Sequence, residues 1–116
     1  MTLTKSQSKY LLNIANLLKD RDYIKSIDLV RLLNVSRSSC HNMLEVLSDL
    51  GLININERKI TLSSLGISTV NRYNSYYQKI YKIMSKKIDG NINDGIYAFM
   101  ECLSQEQLDK LCTTIN

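Results

Sequence analysis

Apolar residues recur three and four positions apart through most of this chain and alternate with polar ones over one short stretch only. That pattern predicts a run of amphipathic helices interrupted by a single β-hairpin. The first helix covers residues 4–19, with Thr4 or Ser6 able to cap it and Tyr10, Leu11, Ile14, Leu17 and Leu18 as its stripe. Asp20-Arg21-Asp22 breaks it, and Tyr23-Ile24 follows as an extended piece that could add an edge strand to a sheet. Ser26 and Asp28 open a short second helix with Ile27, Leu29, Val30, Leu32 and Leu33 as its apolar set. Asn34-Val35 is a turn, and Val35 is placed to pack between two helices. Ser36 then caps a third helix, where Cys40, Met43, Leu44, Leu47 and Leu50 recur at helical spacing. Gly51, able to take the left-handed conformation, ends it.

Two runs rich in β-branched residues follow, 52–55 and 59–62, separated by the turn formers Asn56-Glu57-Arg58. They predict a hairpin with Arg58 and Lys59 at its tip. Ser63 caps a long helix over 64–87 with apolar positions Leu65, Ile67, Val70, Tyr73, Tyr76, Tyr77, Ile80, Tyr81, Ile83 and Met84. Four of the seven tyrosines fall here; an amphipathic tyrosine stripe suits a core or a partner-helix face, and a ligand-binding box is the alternative. Asp89-Gly90-Asn91 is a break. Asn93 caps a helix to Cys102 (Ile96, Tyr97, Phe99, Met100), and Ser104 with Gln107 forms a capping box for a last one (Leu108, Leu111, Ile115).

A short helix, a tight turn, a longer helix with a polar leading face and then a hairpin make a winged helix-turn-helix. The fold class expected is mainly α with a small β-hairpin wing, residues 1–63 forming the DNA-binding domain and 64–116 a linker helix and helical dimerisation region. Ser36, Arg37, Ser38, Ser39, His41 and Asn42 would enter the major groove: Asn42 matches adenine, Arg37 guanine or phosphate, and the serines phosphates or base edges. Lys25, Ser26 and Arg31 would contact the backbone, and Arg58 and Lys59 a phosphate or minor groove. The charge distribution agrees. Residues 1–88 hold fourteen basic and six acidic side chains, residues 89–116 one and five. The partners expected are double-stranded DNA and a second copy of the chain.

Composition excludes other classes. With 44% apolar and 22% charged residues, the 116-residue chain is an ordinary globular domain. No apolar run approaches the roughly 20 residues of a membrane span, and MTLTKSQSK has no signal-peptide apolar region, so the cytoplasm is expected. Cys40, Cys102 and Cys112 give neither a disulfide framework nor a zinc motif. Cys40 lies on an inward stripe and reads as an inert buried thiol. Cys102 and Cys112, in successive helices, leave a thiol sensor open. The single histidine, His41, has no nucleophile beside it, and there is no P-loop, GxGxxG or carboxylate pair, so no enzyme activity and no cofactor are expected.

The stretches SKYLLNIANLL, SIDLVRLLNVSRSSCHNMLEVLSDLGLI, ITLSSLG and NRYNSYYQKIYKIM, with MECLSQEQLDKL after them, resemble the DtxR/MntR metalloregulators. The similarity covers nearly the whole chain and the length is that of the short members. The tail LSQEQLDKL is also similar to the terminal helix of MarR-type repressors. The resemblance implies a dimeric winged-helix repressor activated by manganese or iron. Its metal ligands do not carry over. The positions flanking the first-helix tyrosine are Lys9 and Leu12, the linker-helix histidine position is Tyr73, and the dimerisation-helix positions are Tyr97, Met100 and Glu101. One carboxylate is not a site for a hard cation, and Lys9 would repel it. The metal switch is therefore expected to be missing. Two other readings use the same elements: a winged-helix module docking protein, and a metal-responsive repressor with Asp94, Glu101 and Cys102 as non-standard ligands.

Overall fold

A computed structural model describes residues 2–114. Along the chain come helix α1 (Lys5–Leu17) with a single 3₁₀ turn (Leu18–Asp20), α2 (Ser26–Leu33), α3 (Arg37–Asp49), strands β1 (Ile53–Asn56) and β2 (Lys59–Leu62), and helices α4 (Ser64–Met84), α5 (Asn93–Cys102) and α6 (Gln105–Thr114). These make a winged-helix fold. The chain groups into two compact units, Tyr10–Val70 and Met1–Lys9 with Asn71–Asn116. Among the described residues no helix is long and apolar enough to cross a membrane.

Local chemistry sets the helix starts. Thr4 Oγ1 accepts from the Gln7 amide at 3.1 Å while Gln7 Oε1 accepts from the Thr4 amide at 3.0 Å, so Thr4 rather than Ser6 caps α1. Ser104 and Gln107 make the same reciprocal pair ahead of α6, at 3.1 and 3.0 Å. Asn93 is not a cap. It is the first residue of α5, its amide donates to Asn91 Oδ1 at 3.0 Å, and its own Oδ1 accepts from the Tyr77 hydroxyl. Gly51 has φ +76° after α3, as its stop role requires.

The unit Tyr10–Val70 is built on Leu11, Ile14, Leu29, Cys40, Leu47, Leu52, Ile53 and Ile60, all buried. Several expected stripe positions are exposed instead. Leu50 is the C-cap of α3, past the last buried turn at Leu47, and Leu32 sits at the edge of the two-turn α2, where burial centres on Leu29. Leu65 and Ile67 are exposed because Gly66 and Thr69 hold the inward face of the first turns of α4. Each neighbour of Gly66 is rotated by about 100° around the helix axis. Thr69 is buried by spending its hydroxyl on the Leu65 carbonyl at 2.7 Å.

The second unit buries Leu3, Tyr73, Tyr76, Ile80, Ile96, Tyr97, Met100 and Leu108. Two of the α4 tyrosines are thus core, their rings edge-on at 5.3 Å. Tyr76 donates to Asp109, and burial together with that carboxylate pushes its phenol far above the ordinary range. Tyr77 stacks on Tyr81 at 6.2 Å and meets Tyr97 at 5.3 Å. Tyr81, Ile83, Ile88 and Phe99 stay exposed. Ile115, the last position of the stripe expected in α6, lies outside the described residues.

The three thiols are free. Cys40 is fully buried with Sγ 3.8 Å from the Ser26 carbonyl, and burial pushes its thiol up, which lowers the thiolate fraction at any given pH. Alkylation of the native protein followed by mass spectrometry is expected to mark exposed Cys102 first and Cys40 only on unfolding. Rapid native labelling of Cys40 would contradict the packing of α3.

Candidate nucleic-acid interface

The third helix is aimed by its cap. Asn34 takes the left-handed conformation (φ 54°, ψ 50°), closing α2, and Ser36 then turns back to extended backbone. Ser36 Oγ accepts from the Ser39 amide at 3.1 Å, so the amides of Arg37 and Ser38 remain at the positive end of the helix. The Ser36 hydroxyl donates to Ser39 Oγ at 2.9 Å, and Ser38 Oγ lies 3.3 Å from Ser36 Oγ. The hydroxyls of Ser36 and Ser39 are thus employed in holding the turn.

The wing is a two-strand antiparallel hairpin in the register Ile53↔Leu62, Asn54↔Thr61, Ile55↔Ile60 and Asn56↔Lys59. Its turn consists of Glu57 and Arg58, both left-handed at φ 52° and 68°, which is the two-residue connection whose twist suits a hairpin. Neither residue is the glycine or asparagine such a turn prefers, and the result is Arg58 presented at the tip. Ile24 pairs with Ile60 as a third, one-residue strand, through hydrogen bonds of 3.1 and 2.8 Å. The edge piece expected at Tyr23-Ile24 therefore exists, and it delivers Lys25 and the start of α2 to the side of the hairpin. Lys59 opens β2 and places its ammonium 4.8 Å from the centre of the Tyr23 ring.

All eleven residues singled out in the sequence for DNA are exposed: Lys25, Ser26, Arg31, Ser36, Arg37, Ser38, Ser39, His41, Asn42, Arg58 and Lys59. Five of them converge. A hollow of about 340 Å³ is lined by Ser26, Ile27, Val30, Arg37 and His41. A second, of about 550 Å³, shares Ser26, Ile27 and His41 and continues past Lys25, Leu44 and Glu45 to Ile55, Ile60 and Arg58. The two form a concave face along α3, bounded by the start of α2 and the wing tip. Arg31, Ser38 and Asn42 line neither hollow. The side chains of Arg31, Arg37, Asn42 and Arg58 have no hydrogen-bond or ion-pair partner among the described residues. His41 Nε2 lies 3.1 Å from Glu45 Oε1, with both groups open to solvent.

Sequence reasoning missed Ile27, Leu44 and Ile55 as the apolar floor of this face. The signal for Ile55 was the period of two: it shares a strand face with buried Ile53 but lies farther out along the hairpin, where it is 42% exposed.

The residues at the positions where the resemblance calls for metal ligands do not fit a divalent cation. Lys9 pairs with Asp94 at 2.8 Å, Leu12 is buried, Tyr73 is buried with its hydroxyl bonded to a backbone amide, Tyr97 and Met100 are buried, and Glu101 is exposed. Asp94, Glu101 and Cys102 do not make a donor set either: among the described residues no three His, Cys, Asp or Glu side chains stand close enough to hold a metal.

No protein-family model matches this sequence. No curated protein matches it. Solved structures do. SSo2273 of Sulfolobus solfataricus aligns with a TM-score of 0.69 at 19% identity, over 97% of this chain and 88% of that one. IdeR of T. acidophilum aligns at 0.70 and 19%, over 98% of this chain and 55% of its own. ScaR, crystallised with bound Zn²⁺, aligns at 0.71 and 16%, over 93% and 52%. The chain spans about half the length of IdeR and ScaR. At these identities the likeness is one of fold: this protein shares with them a winged helix continued by a helical region.

Proposed function

We propose that this protein is a sequence-specific DNA-binding transcriptional regulator, a repressor that acts as a homodimer and without a manganese or iron switch. The observation that carries the reading is the concave face along α3, where Arg37, Lys25 and Arg58 surround a floor of apolar side chains. In this reading residues 1–63 read DNA, with α3 in the major groove and the wing on the backbone. Residues 64–116 dimerise, and the exposed Tyr81, Ile83, Ile88 and Phe99 supply apolar surface for a second copy. The fold shared with IdeR and ScaR, the latter a zinc-bound crystal, supports a regulator; the donor set of this chain supports a metal-independent one.

The roles of the two kinds of contact separate by substitution. Arg58→Ala is expected to weaken binding to specific and random DNA alike and to lower the salt slope by about one. Asn42→Ala is expected to cost about 1–3 kcal/mol on the specific site only and to relax preference at one base position. Titrations of both variants on an operator and on random DNA check this. Equal loss on the two DNAs for Asn42→Ala would remove Asn42 from base reading.

A second reading, a winged-helix module that docks protein, is favoured by the apolar floor of the same face, Ile27, Leu44, Ile55 and Ile60. Retention on heparin and a steep salt slope separate the two, both belonging to the DNA reading alone.

A further inference from the structure

We infer that this chain fastens its amino-terminal segment to α4 and α5 with its own side chains, using Tyr73 and Lys9 at positions where the resemblance calls for metal ligands. The Tyr73 hydroxyl accepts from the Leu3 amide at 2.7 Å across seventy residues of chain, and Leu3 and Tyr73 are each 1% exposed. A backbone amide so enclosed has no water to turn to, so this bond is the stronger of the two ties. Lys9 Nζ stands 2.8 Å from Asp94 Oδ1, joining α1 to the first turn of α5. With side chains 34% and 64% exposed, that pair is weak in energy and serves to set register. It also answers the charge a cation would answer: Lys9, with Lys5 behind it, holds the Asp94 carboxyl below its ordinary range. A divalent ion at Asp94 would have to displace an ammonium group, and one at Tyr73 would meet a hydroxyl already bonded to an amide. Tyr97 and Met100, buried as aromatic and apolar packing, add no donors to the lone Asp94 carboxylate.

The inference deepens the metal-independent part of the proposed function, yet it is read on the free protein. Loss of DNA binding would leave it untouched. The test is amide hydrogen exchange by NMR on the full chain, with Mn²⁺ or with chelator. The Leu3 amide is expected to be protected equally in both conditions. In Tyr73→Phe it should exchange at least about tenfold faster while the amide of Leu47 in α3 is unchanged. Lys9→Glu should speed exchange over the first turns of α1, and adding Asp94→Lys to it should restore the original rates. An unprotected Leu3 amide in the unaltered protein, or protection that rises with Mn²⁺, would overturn the inference. So would losses that simply add in the double charge reversal. Should Tyr73→Phe fail to fold, the metal comparison and the charge reversal still decide.

Discussion

Replacing Gly66 by alanine is expected to destabilise the protein by on the order of 3 kcal/mol, against the sign that helix propensity alone would give. Alanine in a helix interior is favoured over glycine by about 1 kcal/mol. At Gly66, however, a Cβ would stand 1.9 Å from the Leu52 carbonyl oxygen and 3.2 Å from Leu62 Cδ2. The carbonyl cannot swing aside, because it accepts from the Ser63 amide at 3.1 Å. Ser63 in turn bonds the Gly51 carbonyl and caps α4 through the Gly66 amide at 2.9 Å. The base of the wing and the first turn of α4 are thus one hydrogen-bonded joint with no room for a methyl group. Gly95 is the control. It lies in α5 with nothing within 4 Å of its Cβ position, so Gly95→Ala is expected to stabilise by roughly 0.5–1 kcal/mol. Thermal unfolding of the two variants checks the pair: a fall of roughly 10 °C or more for Gly66→Ala and a small rise for Gly95→Ala. A rise in both would show that α4 does not approach the Leu52 carbonyl.

The second large effect is on binding. Arg58→Gly is expected to raise stability and weaken DNA binding at once. Arg58 holds φ 68° at the wing turn, a conformation that costs an L-residue about 1 kcal/mol and glycine nothing. Glycine loses part of that advantage through its freer unfolded chain, leaving a net gain of a few tenths to about 1 kcal/mol. The same change removes the charge at the tip, so affinity should fall on every sequence and the salt slope should drop by about one. Because the two effects have opposite signs, lost binding could not be ascribed to lost folding. An Arg58→Gly protein that binds DNA unchanged would take the wing tip out of the interface. The strained turn is where the sequence departs from what a hairpin prefers, and such departures gather at functional positions.

Much of the fold was legible because its signals are local. The capping pairs Thr4/Gln7 and Ser104/Gln107, the Ser36 cap, the stop at Gly51 and the alternation through the wing each determine an element within a few residues. Even the edge piece at Tyr23-Ile24 was readable from its composition. What stayed hidden depends on contacts between elements. The inward face of α4 begins on Gly66 and Thr69, neither of them apolar, so the hydrophobic stripe was phased through Leu65 and Ile67. Asn93 looked like a cap because nothing local reveals that Tyr77 claims its side chain. For the candidate interface, exposure and polarity singled out one face of α3, but convergence of Lys25, Arg37, His41 and Arg58 needed the Ile24–Ile60 pairing. The buried Leu3–Tyr73 bond spanning the chain was not legible either, because it joins residues seventy positions apart.

The central claim is a DNA-binding regulator that needs no divalent cation, and fluorescence anisotropy on DNA from upstream of its own gene tests it most directly. The titration is run once with chelator and once with Mn²⁺, each against random DNA at matched salt. Equal, tight and sequence-preferring binding in both conditions is the expected result. Binding that appears only with Mn²⁺, or that never exceeds the random-DNA level, would contradict it.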